Sequence, residues 1–342
     1  MYIITGGAGF IGSALVRRLN ELGIADILVV DNLASTEKWK NLVKAGYLAY
    51  MHRDDFLRHI SEDSLEEALS INKKGGASLK IKGIAHLGAC SSTTECDADY
   101  LMRNNLEYSK TLCDYALRRG IRYLQASSAA TYGDGAQGFD DDPARLRELR
   151  PLNMYGYSKH LFDLWAADTG RLDSIASIKF FNVYGPGEYH KGDMRSMIHK
   201  AVEQIKATGK VRLFKSYLPD YADGGQLRDF VYVKDCAAVL ADLLKRPEIN
   251  GVFNLGAGAA RSWNDLAQAV FAAMELEPHI EYIEMPEALR GKYQYYTKAE
   301  MGRLTDAFAA AKAGGQPLAL RSLEEGVTDY VRNYLLKDDQ YI

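Results

Sequence analysis

Short apolar runs bounded by polar residues set the rhythm of the first half of the chain. Tyr2-Ile3-Ile4-Thr5 and Ile27-Leu28-Val29-Val30 read as buried strands, and Ile81 to Leu87 and Arg122 to Ser127 repeat the pattern. Helical patterns lie between them, at Ser13 to Asn20 and at Tyr100 to Arg119. Buried strands alternating with helices predict an α/β fold with a doubly wound parallel sheet. The second half breaks the rhythm. One more sheet strand is expected near 174–182, and parts of 228–256 join the same sheet. Gly209 to Arg228, Pro278 to Lys292 and an amphipathic helix near Leu323 to Leu336 are expected to build a smaller C-terminal lobe that closes over a substrate. Residues 1–170 then form the nucleotide-binding domain, and 186–227 with 257–342 mainly the substrate-binding lobe. Gly133 to Arg150, with its Asp140-Asp141-Asp142-Pro143 run, reads as a solvated loop.

Ligands in such sheets bind at the carboxyl ends of the strands. The segments that follow the strands should therefore line the site: Gly6 to Gly12, Asp31-Asn32, Gly88 to Thr94 and Ser127 to Tyr132. The first of these is the most informative. Gly6-Gly7-Ala8-Gly9-Phe10-Ile11-Gly12 joins a strand to a helix. Glycines there permit a tight turn and let backbone approach a pyrophosphate, and the helix N-terminus offers unpaired N–H groups to the anion. Asp31 ends the second strand about twenty residues on, where an acidic residue reads ribose hydroxyls.

Bulk properties exclude several classes. The 342 residues carry a net charge of −3, so no general affinity for nucleic acid is implied. No apolar run reaches membrane-spanning length, and the N-terminus is already strand, which leaves no room for a signal peptide and suggests a cytoplasmic protein. Cys90, Cys96, Cys113 and Cys236 form no Cys-x-x-Cys pair, and the seven histidines form no ligand cluster. Neither a disulfide frame nor a metal site is expected.

Tyr155-Gly156-Tyr157-Ser158-Lys159 supplies the candidate chemistry. A tyrosine and a lysine four apart share one helix face. A lysine cation beside a phenol lowers the phenol's pKa and makes it a usable general acid/base. Of the 22 tyrosines, Tyr155 alone has a lysine four residues later, which sets it apart from a chance solvated pair. Ser128 lies at the end of a strand, where its hydroxyl either meets a substrate oxygen or caps a helix.

Gly6-x-x-Gly9-x-x-Gly12, Ser128 and Tyr155-x-x-x-Lys159 resemble the extended short-chain dehydrogenase/reductases over essentially the whole chain. That family includes nucleotide-sugar epimerases, dehydratases and reductases, and it implies a Rossmann-type sheet. Phe181-Asn182-Val183-Tyr184-Gly185-Pro186, Arg228-Asp229-Phe230-Val231-Tyr232-Val233 and Gly291-Lys292-Tyr293-Gln294 extend the match. Cys90 to Glu95 and His190-Lys191-Gly192 are more specific, and resemble the members that epimerise ADP-heptoses at C6″ for lipopolysaccharide core. The resemblance implies hydride removal from C6″ to a bound cofactor and return to the opposite face. It assigns proton transfer to Tyr155 in one substrate orientation and to Lys191 in the other, with Ser128 on the reacting oxygen and Lys159 on the ribose. Substrate contacts implied are Asn182, Phe214, Arg228 and Tyr293. Cofactor contacts implied are Gly6, Gly9, Phe10, Ile11, Gly12, Asp31, Asn32, Lys38, Arg53, Leu87, Gly88, Ala89, Cys90, Ser91, Asn104, Lys159, Val183 and Lys191. Asp31 alone argues for NAD, while Lys38 and Arg53 are cations suited to a 2′-phosphate; the resemblance selects NADP. It further implies an ADP-sugar as substrate and a cytoplasmic homo-oligomer, commonly a pentamer.

The chain departs from the family pattern at Asp193, at Lys200 and through Lys215 to Gln226. Those positions bear on the nucleotide sugar more than on the reaction. A UDP-sugar 4-epimerase would not need Lys191. A dehydratase places an acidic pair where Ala129 and Ala130 follow Ser128, and a non-catalytic NADP-binding regulator often loses the tyrosine or the lysine.

Overall fold

A computed structural model describes residues 1–70, 80–290, 293–311 and 318–341. Gly291 and Lys292 of the quoted motif lie outside the described residues. Twelve strands follow in chain order: β1 Tyr2–Thr5, β2 Ile27–Asp31, β3 Ala49–His52, β4 Gly83–His86, β5 Arg122–Ser128, β6 Ile175–Phe180, β7 Asn182–Tyr184, β8 Val211–Phe214, β9 Leu227–Tyr232, β10 Gly251–Leu255, β11 Ala260–Ser262 and β12 Ile280–Ile283. Seven of them form one sheet in the order β10-β6-β5-β4-β1-β2-β3, and every pairing in it is parallel. This is the doubly wound Rossmann arrangement. Strand order reverses between β1 and β4, the place where such sheets open a crevice for ligands. Thr5 pairs with Val30 on one side and His86 on the other, so three strands end level at that crevice.

β1, β2, β4 and β6 are buried along their whole length, as central strands covered on both faces must be. One apolar layer packs Ile3, Leu28, Ile84, Tyr123 and Phe162. The layer on the other face packs Ile4, Val29, Ala85, Leu124 and Leu240. A third core joins Ile198, Leu213, Phe230, Leu266, Val327 and Tyr330 beneath the two small sheets, β11-β9-β7 and β12-β8.

Several local expectations change. The first helix runs Phe10–Glu21, so it starts ahead of Ser13 and takes in Gly12. The helix read over Tyr100 to Arg119 has a wide π turn at Met102–Glu107 before its regular part, Tyr108–Arg118. Gly133 to Arg150 is not a merely solvated loop. Phe139, Leu146 and Leu149 are buried, and a short 3-10 turn spans Pro143–Glu148. Asp141 there is buried because its carboxylate accepts the Asn254 N–H at 2.6 Å and faces Arg303. The C-terminal helix is regular over Leu323–Tyr330 and ends in a π turn at Val331–Leu335.

Candidate active site

The crevice is a cleft of about 500 Å³. Its floor is the glycine turn. Gly6 has φ +64°, and a Cβ there would lie 2.7 Å from the Gly88 backbone nitrogen. A Cβ on Gly12 would lie 2.1 Å from the Gly6 carbonyl oxygen. Side chains are excluded at both positions, so the backbone is bare where the helix Phe10–Glu21 begins.

Asp31 closes this turn from the neighbouring strand. Its carboxylate accepts the N–H groups of Ala8 at 2.8 Å and Asn32 at 2.7 Å, and pairs with the Lys38 ammonium at 2.7 Å. Arg53 donates to Asn104 Oδ1 at 2.5 Å, which brings two candidate cofactor residues together on the same rim. The loop after β4 is fixed by buried polar groups. Thr5 Oγ1 accepts from Gly88 N at 3.1 Å, and Asn105 grips Cys90 through both its N–H (2.9 Å) and its carbonyl (3.0 Å). Asn105 also donates to Ser158 Oγ at 3.1 Å, linking that loop to the helix Met154–Asp168.

That helix is capped by the Asn153 side chain, which accepts from Gly156 N at 2.8 Å. It presents Tyr155 and Lys159 to the cleft on successive turns. The Tyr155 phenol lies near the Ser128 hydroxyl. The lysine does not depress the phenol's pKa as the spacing suggested. Burial raises the Tyr155 pKa, the Ser128 contact opposes this, and the Lys159 ammonium donates instead to the Ala126 carbonyl at 2.7 Å. Burial in turn lowers the Lys159 pKa to about 8.

Lys191 also lines the cleft, carried on the segment Tyr189–Met194. Its ammonium sits 5.0 Å from the centre of the Phe10 ring. Burial lowers its pKa, and Glu188 opposes that shift.

All four candidate catalytic residues, Ser128, Tyr155, Lys159 and Lys191, line this one cleft, together with every candidate cofactor residue from Gly6 to Val183. The four candidate substrate residues do not. Phe214, Arg228 and Tyr293 form a separate cluster, with the Arg228 guanidinium 5.2 Å from the Tyr293 ring and Phe214 edge-on to it at 6.5 Å. Arg228 is buried and donates to the carbonyls of Leu227 and Gln294. It does not pair with Asp229, whose carboxylate accepts the N–H groups of Ala257, Gly258 and Ala299. Asn182 is exposed between Phe181 and Val183, which both line the cleft.

Sequence reading missed His86. It lines the cleft, with Nδ1 2.6 Å from Thr5 Oγ1 and Nε2 2.9 Å from Ser109 Oγ. Burial, and then the Lys159 charge, lowers its pKa to about 3, which keeps the ring neutral. A polar residue ending an otherwise apolar strand was the available signal. His190 also lines the cleft and is held neutral, with a pKa of about 4 set first by burial and then by Lys38.

A model of the NAD dependent epimerase/dehydratase family matches residues 2–256. The ADP-L-glycero-D-manno-heptose-6-epimerase of Nitratidesulfovibrio vulgaris is 58% identical over 342 residues, covering 100% of both chains. The enzyme of the same name from Fusobacterium nucleatum is 45% identical over 351 residues, again covering 100% of both. Among solved structures, Helicobacter pylori ADP-L-glycero-D-manno-heptose-6-epimerase superposes with a TM-score of 0.75 at 26% identity, over 97% of this chain and 95% of that one. A UDP-N-acetylglucosamine 4-epimerase from Methanobrevibacter ruminantium shares the fold, with a TM-score of 0.74 at 21% identity.

Proposed function

The chain belongs to the NAD dependent epimerase/dehydratase family, and from that premise we propose that it inverts C6″ of ADP-D-glycero-D-manno-heptose to give the L-glycero epimer. It is an isomerase that draws on a bound pyridine nucleotide. The observation that carries the reading is that Tyr155 and Lys191, far apart in the chain, line one cleft. An epimerase without net redox needs a proton-transfer group for each of two substrate orientations.

The residues present fit a dinucleotide. The bare glycine turn and the helix start at Phe10 accept a pyrophosphate, and the Gly88 to Ser91 loop lies across from them. A pyridine nucleotide held there would supply reversible hydride transfer at C6″. Everything else falls to the chain. Ser128 holds the reacting oxygen beside the Tyr155 phenol, which exchanges its proton with that oxygen in one orientation. Lys159, one turn further along the same helix, holds the ribose. Lys191 exchanges the proton in the other orientation.

The cofactor is NADP in this reading. Asp31 already accepts Lys38 and two backbone N–H groups, so its charge is largely answered before a 2′-phosphate arrives. Lys38 and Arg53 on the cleft rim are the cations for that phosphate. Residues 1–170 hold the cofactor, and 186–227 with 257–342 mainly hold the ADP-sugar, with Asn182, Phe214, Arg228 and Tyr293 as its contacts. The substrate cluster is reached when the sugar nucleotide bridges from Asn182 toward Tyr293. The protein acts in the cytoplasm as a homo-oligomer that supplies heptose for lipopolysaccharide core.

The test is an NMR assay of purified protein with ADP-D-glycero-β-D-manno-heptose. Conversion to the L-glycero epimer, lost in Tyr155→Phe and in Lys191→Ala, is the expected result. Absence of conversion in protein that binds NADP would direct attention to Lys215 to Gln226 and another nucleotide sugar.

A further inference from the structure

The segment that carries Lys191 is held by a buried carboxylate. Glu188 is fully buried. Its Oε1 accepts Ser196 Oγ at 2.6 Å and the Tyr330 hydroxyl at 3.0 Å, and its Oε2 accepts Ser196 N at 2.6 Å. One side chain thus staples both ends of the turn from 188 to 196 and ties it to the C-terminal helix Leu323–Tyr330. Within the turn, Lys191 N donates to the Glu188 carbonyl at 3.0 Å, and Gly192 takes φ +54° to reverse the chain. A second clamp fixes the turn to the cofactor side. The Asn41 amide donates to the carbonyls of Ala8 and Gly187, each at 3.0 Å.

A carboxylate removed from water is costly unless it answers a charge. Burial raises the Glu188 pKa, and three hydrogen-bond donors and the Lys191 charge oppose that shift. Other groups near Lys191 are otherwise committed. His190 is held neutral, and Lys38 and Asp31 pair with each other. Tyr189 and Tyr330 are phenols whose pKa values burial raises, so they stay protonated beside the carboxylate.

We propose that Glu188 is the positioning residue for Lys191: its buried carboxylate fixes the turn that carries the lysine and places a negative charge near its ammonium. This rests on the reading of Lys191 as the second proton-transfer group. Burial disfavours the charged form of the lysine, and the Glu188 carboxylate works against that.

Glu188→Gln separates charge from anchoring. The amide can meet the same partners, because the Ser196 and Tyr330 hydroxyls can turn to accept from it. The expected result is a kcat lower on the order of tenfold to hundredfold, with KM little changed. In ¹³Cε-lysine NMR, with the Lys191 signal assigned by its loss in Lys191→Ala, the titration midpoint should fall by about one pH unit. Tyr330→Phe, which removes one donor and keeps the ring, should move kcat in the same direction by less. It also serves if Glu188→Gln does not fold. Wild-type turnover with an unmoved Lys191 titration in Glu188→Gln would overturn the proposal. Full activity in Lys191→Ala would instead overturn the reading of Lys191 itself, so the two failures are distinguishable.

Discussion

Behind the catalytic helix, Lys179 and Asp163 are both fully buried, with Nζ 3.7 Å from Oδ2. Asp163 accepts Ser127 Oγ at 2.6 Å and Ser177 Oγ at 2.7 Å, and Lys179 donates to Thr131 at 3.0 Å. Tyr155, Lys159 and Asp163 follow at intervals of four on one helix, so this pair continues the face that carries Tyr155 and Lys159. Removing one member leaves a buried charge unanswered, at a cost of about 3–5 kcal/mol. Lys179→Met should therefore lower stability by that amount in urea titrations, and a loss within about 1 kcal/mol would contradict it. His86 gives a pH prediction. Its folded pKa of about 3 lies below the value of about 6.5 of an unfolded histidine. Between those limits the unfolded chain binds a proton that the folded one refuses, so stability falls by about 1.4 kcal/mol per unit of acidification from this group. His86→Gln should flatten the stability curve by that slope between pH 6.5 and 4, and parallel curves would refute the assignment. Tyr155 and Lys159 were legible in the sequence, whereas His86, Asp163 and Lys179 were not, and neither were the electrostatics of any of them. The spacing of Tyr155 and Lys159 marked the pair, yet it could not show that the Ala126 carbonyl takes the ammonium.

At the scale of elements, the glycine turn is the part least able to change. Gly12 lies inside the first helix, and its missing Cβ is what lets that helix start against the Gly6 carbonyl. Gly12→Ala should destabilise the fold by about 1–3 kcal/mol through overpacking. It should also abolish retention of NADP on gel filtration, and an alanine variant that keeps both would show that the turn has slack. The same glycine explains why the helix start was misread: from sequence a glycine marks a break, whereas here it marks a close approach. β1, β2, β4 and β5 were legible because buried central strands are short apolar runs. β3 was not, because Ala49–His52 is an edge strand with no fully buried position. The Gly133 to Arg150 segment misled for a related reason. Its charges dominate the composition, while Phe139, Leu146 and Leu149 are too scattered to give a period.

Over the whole molecule, the cleft is assembled from segments distant in the chain: the turn after β1, the ends of β2, β4 and β5, the helix Met154–Asp168 and the turn holding Lys191. Local patterns marked the strand ends and the helix, while the turn holding Lys191 was marked by the family resemblance alone. That they form one site follows from the parallel order of the sheet, which brings all these strand ends to one side, whereas Phe214 and Arg228 sit on the small sheets, whose pairings no local pattern announces, and Tyr293 packs against both from an irregular segment. A ligand filling the cleft binds only the folded chain, so it adds RT ln(1 + [L]/Kd) to stability, about 2.7 kcal/mol at a hundredfold excess over Kd. Cofactor choice can therefore be read by melting, without any turnover. If Lys38 and Arg53 receive a 2′-phosphate, NADP should raise the melting temperature by several degrees and NAD, at equal concentration, by less. Lys38→Ala removes one such cation and also frees Asp31, whose carboxylate then repels the phosphate. That variant should shrink the shift given by NADP while leaving or enlarging the shift given by NAD. Arg53→Ala leaves Asp31 paired and should weaken NADP only. Equal shifts with the two cofactors in the wild-type protein would mean that Asp31 reads ribose hydroxyls despite its lysine, and that the chain prefers neither.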